Sequence, residues 1–273
     1  MPEEDQEPVE PSDEAVARYW NANAHLWTKH VRRGWDAYRE HFNNPAFFAF
    51  LGEVKGERVL DAGCGEGYNT RILARMGAEV VGVDVSPKLI EHARQGETQQ
   101  PLGIRYEVAS FSDLSGVFED ETFDLVVSFM ALMDGPDYEG ACRELFRVLR
   151  PGGELVFSLT HPCFMTPGFG WLRDEETEPD GLTVAHYFDT NPRLERWRFS
   201  KGTIAEETPK FEVPRFPRTL SQYVNGLIEA GFILRRVAEP RPSEEACQEH
   251  PWLRRWRDHA ALFLYVRAQR PPG

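Results

Sequence analysis

Cysteine is scarce in this 273-residue chain: Cys64, Cys142, Cys163 and Cys247 stand far apart, with no Cys-x-x-Cys pair among them. That spacing offers neither a disulfide framework nor a zinc site, so no metal is expected and a reducing cytoplasm is the expected compartment. Long hydrophobic runs are missing too. No stretch approaches the ~18 apolar residues of a membrane helix, and the first residues carry no basic and apolar leader. Positive charge is in deficit, with 31 Lys and Arg against 44 Asp and Glu and a formal charge of −13. Nucleic-acid binding relies on Lys and Arg to neutralise phosphates, so this balance argues against a nucleic-acid partner. The basic, aromatic segment PWLRRWRDH reads instead as an amphipathic helix with a solvated face.

What is present suits a globular chain with one substantial core and some appended material, at 41% hydrophobic and 12% aromatic residues. Residues 1–14 (MPEEDQEPVEPSDE) are acidic, rich in proline and nearly free of large apolar side chains, which predicts a disordered tail. AVARYWNANAHLWTKHV and GWDAYREHF then read as aromatic-laden helices, forming a lid over residues 15–50. From residue 51 to 162 apolar runs alternate with amphipathic stretches. RVLDAG, AEVVGVDVS, IRYEVAS, FDLVVSFMAL and ELVFSLTH are strand candidates, and NTRILARMG, PKLIEHARQG and GACRELFRVLRPGG are the helices between them. Ser86 and Pro87 have the chemistry of an N-cap and a first helical position. Such alternation predicts a doubly wound α/β fold, Rossmann-like, with a mostly parallel sheet and helices on both faces. Residues 163–218 break the pattern and are expected to cap a substrate site. Residues 219–273 return a helix (TLSQYVNGLIEAG) and the strands FILRRVAEP and ALFLYVRAQ, completing a seven-stranded sheet.

The stretch VLDAGCGEGYNTRILARMGAEVVGVDVS carries the strongest functional signal. A strand turns through Gly63, Gly65 and Gly67 into a helix, whose N-terminus offers free amides and a positive dipole end. Asp84 closes the next strand, where a carboxylate can accept hydrogen bonds from a ribose diol. Dinucleotide folds space these glycines G-x-G-x-x-G; here the spacing is G-x-G-x-G and Asp61 precedes it. A carboxylate there suits a ligand bearing an ammonium group and would repel a pyrophosphate. That disfavours a nicotinamide dehydrogenase and points to a phosphate-free nucleoside with a cationic group, as in S-adenosylmethionine.

Four motifs in order then resemble the class I S-adenosylmethionine-dependent methyltransferases: VLDAGCGEG, VVGVDVS, FDLVVSFMALMD and RVLRPGGELVFSLTHP. SFMALMD together with THPCF looks like the small-molecule branch of that family, which includes many enzymes of secondary metabolism. The resemblance implies S-adenosylmethionine as cofactor, with S-adenosylhomocysteine as its product. It implies that Gly63, Cys64 and Gly65 pack against the methionine part and that Asp61 orients the amino group. It also places Asp84 on the ribose hydroxyls, Val85 or Leu89 on the adenine face, and the Phe111 amide beside the adenine, with Ser110 where the family often has Asp. Ser128, Phe129 and Met133 would lie where methionine and acceptor meet. Arg39, 22 residues before Asp61, would bind the methionine carboxylate as in glycine N-methyltransferase.

Methyl transfer from a sulfonium depends mainly on positioning, with a proton to remove if the acceptor is a hydroxyl. No Asn/Asp-Pro-Pro-aromatic motif follows the fourth strand, again indicating a small molecule. His161, ending the fifth strand, is the candidate general base, with a structural histidine as the competing reading. O-methylation is favoured over N- or C-methylation on that ground alone. Tyr19 and Trp20 would belong to the lid, Tyr19 against the cofactor and Trp20 against the acceptor. Trp171, His186 and Tyr187, with Phe188, Trp197 and Phe199, supply an aromatic inventory for an acceptor pocket or for the core of a cap. A protein that binds the cofactor without transferring its methyl group is the alternative function, and oligomeric state is not legible.

Overall fold

A computed structural model describes residues 9–172, 181–198 and 210–273. Its centre is a seven-stranded sheet of β1 (Arg58–Ala62), β2 (Glu79–Asp84), β3 (Arg105–Val108), β4 (Phe123–Phe129), β5 (Leu149–Thr160), β10 (Ile233–Ala238) and β11 (Phe263–Gln269). The order across the sheet is β10-β11-β5-β4-β1-β2-β3. Strands β1 to β5 run parallel, whereas β11 is antiparallel to both β5 and β10. Central strands are buried on both faces, as their unbroken apolar runs require: Val59, Leu60, Val126, Val127, Val156 and Phe157 are wholly inaccessible.

Helices α3 (Tyr68–Arg75), α4 (Pro87–Gln99) and α5 (Tyr138–Val148) cross between the strands, and α6 (Leu220–Glu229) packs beside α5. Ser86 caps α4, its hydroxyl accepting the Leu89 amide at 3.2 Å ahead of Pro87. Two packed layers result. Phe123, Leu145, Phe157 and Leu227 lie on one side of the sheet, and Phe47, Leu73, Ile90 and Tyr265 on the other. Helix α5 stops at Val148 rather than reaching Gly153, because Leu149 already pairs with Phe123 as the first residue of β5.

The N-terminal region departs from the expected pair of helices. Helix α1 (Asp13–Arg32) is capped by Ser12, but the second expected helix is a π-helical turn over Arg39–Asn43 that runs into α2 (Asn44–Leu51). Val9, assigned by composition to an unpacked acidic tail, is buried with Val16, Leu194 and Phe216. The irregular-looking insertion holds two hairpins, β6 (Gly170–Leu172) with β7 (Gly181–Thr183) and β8 (Arg193–Trp197) with β9 (Phe211–Arg215). Strands of three to five residues are too short to show a period-two pattern. The segment PWLRRWRDH is a short 3₁₀ turn followed by α8 (Arg254–Asp258), after α7 (Glu244–Glu249), and it buries Leu253 and Trp256. Among the described residues, no helix is long and apolar enough to cross a membrane.

Candidate functional site

Strands β1 and β4 are adjacent, yet the chain leaves them in opposite directions across the sheet. A crevice opens outside the carboxyl ends of strands at such a reversal. The glycine turn fills this position. The carbonyl of Val83 accepts the amides of Gly63 at 2.8 Å and Cys64 at 2.9 Å, drawing the turn toward β2. Gly63 has φ +81°, and a Cβ there would lie 2.3 Å from the Ala131 Cβ. Ala131 comes this close because Met130 before it adopts φ +57°, unusual for a side chain of that size. The Met130 amide is held at 3.0 Å by the Ser158 carbonyl. The loops after β1 and β4 therefore interlock, and only glycine fits at residue 63.

Two buried carboxylates face this turn with unequal partners. Asp84 accepts the Gly65 amide on Oδ2 and the Ser86 amide on Oδ1, both at 2.9 Å. Burial pushes its carboxyl up to about 6, and those two amides oppose the shift. Asp61 is fully inaccessible and accepts the Thr70 hydroxyl at 2.6 Å on Oδ2, while its Oδ1 is buried with no hydrogen-bond partner. Burial pushes Asp61 up to about 7, against the pull of Thr70 and with added repulsion from Asp84. Glu66, also buried, has a counter-ion in Arg32 at 2.8 Å. Cys64 lies among all three acids, and burial first of all drives its thiol well above the usual range. Three buried carboxylates thus converge on the glycine turn, a setting that favours cations and hydrogen-bond donors over anions.

Most of the sequence-predicted cofactor residues gather around it. The Phe111 ring lies 3.8 Å from where a Gly63 Cβ would be and blocks any side chain at Gly135. Tyr19 and Val85 share one small apolar cluster with Val16 and Phe216. Leu89 is fully buried at the first turn of α4, so packing is its main role. Ser110 shares its hydroxyl with Ser112 at 2.8 Å, and Ser112 donates to Asp13 of α1 at 3.2 Å. Arg39 pairs with Asp36 at 3.5 Å, lies over the Trp27 and Tyr68 rings, and its charge acts on Glu66. It thus stands near the α3 N-terminus, on the π-helical turn. Asn21, which the sequence reading missed, ties α1 to the same edge. Its Oδ1 accepts the Ser86 hydroxyl at 2.8 Å and the Lys88 amide at 3.1 Å.

Beyond the cofactor turn, several expected roles are corrected. Ser128 gives its hydroxyl to the Ala62 carbonyl at 2.7 Å and so pins β4 to the end of β1 rather than facing a ligand. Phe129 packs on Phe47 and Phe48. His161 is 3% exposed and both ring nitrogens are engaged: Nδ1 accepts the Cys163 amide at 3.2 Å and Nε2 lies 2.8 Å from Glu239. Burial also lowers its proton affinity. Nδ1 being an acceptor, Nε2 carries the hydrogen, and no lone pair remains for a substrate proton; His161 staples the turn after β5. Trp171 stacks edge-on against Trp256 and beneath Arg255, within the packing layer. Trp20 meets Trp27 edge-on at 5.0 Å, in the layer that joins α1 to β9. Trp197 belongs to that layer as well. His186 and Phe188 are exposed and do not line the cleft that holds Met133 and Tyr187, and Phe199 lies outside the described residues.

Met133 and Tyr187 do meet in a cleft, together with Thr160, Thr166, Arg193, Glu195, Arg215 and Arg218. Met133 Sδ accepts the Thr160 amide at 3.3 Å, and the Tyr187 hydroxyl accepts the Leu220 amide at 2.9 Å. Behind the cleft runs an ion network that the sequence did not disclose. Arg215 donates to Asp134 at 2.5 Å and to Glu195 at 3.1 Å, and Glu195 also meets Arg193 at 3.3 Å. Asp134 is pushed up to about 7 by burial, with Arg215 as the principal opposing influence. Asp134 stood in the quoted motif SFMALMD, but its partner Arg215 lies 81 residues away, on a hairpin the sequence did not reveal. A larger hollow of about 310 Å³ sits at the opposite, amino end of the strands, among Glu57, Asp124, Arg150 and Arg267, away from the glycine turn.

A family model described as a methyltransferase domain matches residues 60–157, the span from β1 to β5. A crystal structure of an S-adenosylmethionine-dependent methyltransferase from Mesorhizobium loti superposes with a TM-score of 0.68 at 33% identity. It covers 83% of this chain and 96% of that one. An uncharacterized protein of Mycobacterium tuberculosis is 37% identical over 111 residues, 41% of this chain and 40% of the relative. A ubiquinone biosynthesis O-methyltransferase from Hahella chejuensis is 33% identical over 158 residues, 55% of this chain and 63% of the relative. The matched part thus spans about two fifths of the mycobacterial relative and less than two thirds of the Hahella one.

Proposed function

The chain belongs to the S-adenosylmethionine-dependent methyltransferases, and on that premise we propose that it transfers a methyl group to a small-molecule acceptor, preferentially at a hydroxyl oxygen. The observation that carries this reading is the bare Asp61 Oδ1, a buried carboxylate oxygen with no partner beside the glycine turn. An unpaired buried acid is costly unless a ligand completes it, and an ammonium group does so. The residues present therefore fit S-adenosylmethionine. Asp61, itself inaccessible, orients the amino group through water and its field, Asp84 accepts the ribose hydroxyls on lone pairs its two amides leave free, and Arg39 meets the methionine carboxylate. Val85 and Phe111 supply apolar surface for the adenine. When bound, the cofactor supplies a methyl group already activated on a sulfonium.

The protein's own tasks are then positioning, exclusion of water and, for a hydroxyl acceptor, removal of one proton. Helix α1 forms a lid held by Asn21, and the β8–β9 hairpin forms a cap over the carboxyl edge, tied to α1 by the Asn23 bond to the Glu212 carbonyl at 2.8 Å. The O-methyltransferase relatives favour oxygen as the acceptor atom. The free cysteines suit a reducing compartment such as the cytoplasm. Incubation with methyl-labelled S-adenosylmethionine and a panel of phenols, alcohols and amines tests the proposal. Labelled product that requires both the protein and one of these acceptors supports it. Cofactor binding with no labelled product from any acceptor leaves a binding protein without transfer activity.

A further inference from the structure

Two buried polar groups in the acceptor cleft have nothing to bond to. Arg193 spends Nη2 on Glu195 at 3.3 Å, but its Nη1 is buried without a hydrogen-bond partner. Thr166 is 7% exposed and its Oγ1 is likewise buried and unpartnered. Both line the cleft that contains Met133, just after β4, and Thr160, the last residue of β5. A buried donor left without an acceptor costs free energy, and a ligand, ion or water that accepts from it removes that cost.

We propose that the acceptor carries a carboxylate, which Arg193 Nη1 and Thr166 Oγ1 bind at the far wall of this cleft. The inference rests on the methyltransferase reading for the location of the acceptor. A guanidinium nitrogen can only donate and a threonine hydroxyl can donate, so the complementary group is one that accepts at two points. Charge agrees. Arg193, Arg215 and Arg218 line the cleft against two carboxylates, Asp189 and Glu195. Arg215 is committed to Asp134 and Glu195, and Arg218 to the carbonyls of Phe216, Gly135 and Pro136. Arg193 is the guanidinium of the three with a buried donor to spare. Met133, Pro162, Met165 and Tyr187 supply apolar walls around a space of about 30 Å³, which admits a carboxylate group while the body of the acid stays outside it.

The test uses the full chain saturated with S-adenosylhomocysteine and titrated with benzoate, 4-hydroxybenzoate, benzamide and inorganic phosphate. The carboxylates bind at least tenfold more tightly than benzamide and phosphate, and Arg193→Gln removes that preference while cofactor affinity stays within about twofold. Thr166→Val, which exchanges the hydroxyl for a methyl group, weakens the same carboxylates and gives a second reading if Arg193→Gln misfolds. Equal affinity for benzamide, tighter binding of phosphate, no carboxylate binding to the wild type, or unchanged carboxylate affinity in both variants overturns the inference. Failure to bind S-adenosylhomocysteine at the outset overturns the methyltransferase reading instead, so the two failures are separable.

Discussion

The amide of Gly65 donates to the carboxylate of Asp84 across 2.9 Å, so the glycine turn after β1 is fastened to the end of β2 by the residue expected to hold the ribose. One side chain thus shapes the turn and keeps lone pairs for a ligand. Losing it removes charge-assisted hydrogen bonds on both counts. Asp84→Ala weakens S-adenosylmethionine binding by about 1.5–3 kcal/mol, the range for hydrogen bonds to a charged group. Calorimetric titration checks this, and unchanged affinity removes Asp84 from the ribose site.

Affinity for the cofactor also depends on pH in a defined direction. Asp84 and Asp61 are pushed up to about 6 and about 7, and both must be ionised to hold a ribose diol and an ammonium group. Protonation therefore competes with the ligand. Affinity rises as pH climbs from 5 through 7 and then levels off. A flat profile across that window contradicts the assignment of these two carboxylates.

The same burial makes Asp61 a liability to the folded chain. Its carboxyl titrates near 3.8 when unfolded and near 7 when folded, so the folded state holds the proton more tightly. Stability conferred by the neutral form is present below about 4 and is lost as pH rises to about 7. Asp61→Asn carries no such penalty and melts at a higher temperature than wild type at pH 8. The advantage shrinks at pH 5, and cofactor affinity is lost at both. Thermal melts at the two values decide the point, and a lower melting temperature at pH 8 goes against it.

Much of this was legible in the sequence because the relevant determinants are local. Strands β1 to β5, the Ser86 cap, the glycine turn and Asp84 lie in motifs of a few residues whose period and turn chemistry carry their own signal. The failures have a different cause. His161 stands at the carboxyl end of a strand, where function is often found, yet its fate was set by Glu239, 78 residues away. Trp171 answers to Trp256 in the same way. The Asp134–Arg215–Glu195 network assembles only when β8 and β9 pair, and strands of five residues each are too short for their alternation to stand out. Spacing cannot report which distant side chain will satisfy a polar group.

A structural His161 has its own signature. His161→Ala leaves the Cys163 amide without its acceptor and the Glu239 carboxylate without its partner, at a cost of about 1–3 kcal/mol. The variant unfolds at lower temperature while binding S-adenosylmethionine with wild-type affinity and, given an acceptor, turning over within about threefold of wild type. Loss of turnover by two orders of magnitude in a well-folded variant restores it as the base.

The most direct test of the central claim is calorimetric titration of the full chain with S-adenosylmethionine, S-adenosylhomocysteine and NAD. The arrangement of Asp61, the glycine turn and Asp84 predicts saturable binding of both sulfur nucleosides, about one per chain, and none of NAD, whose pyrophosphate the buried acids repel. Binding of NAD without either sulfur nucleoside, or of none of the three, contradicts it.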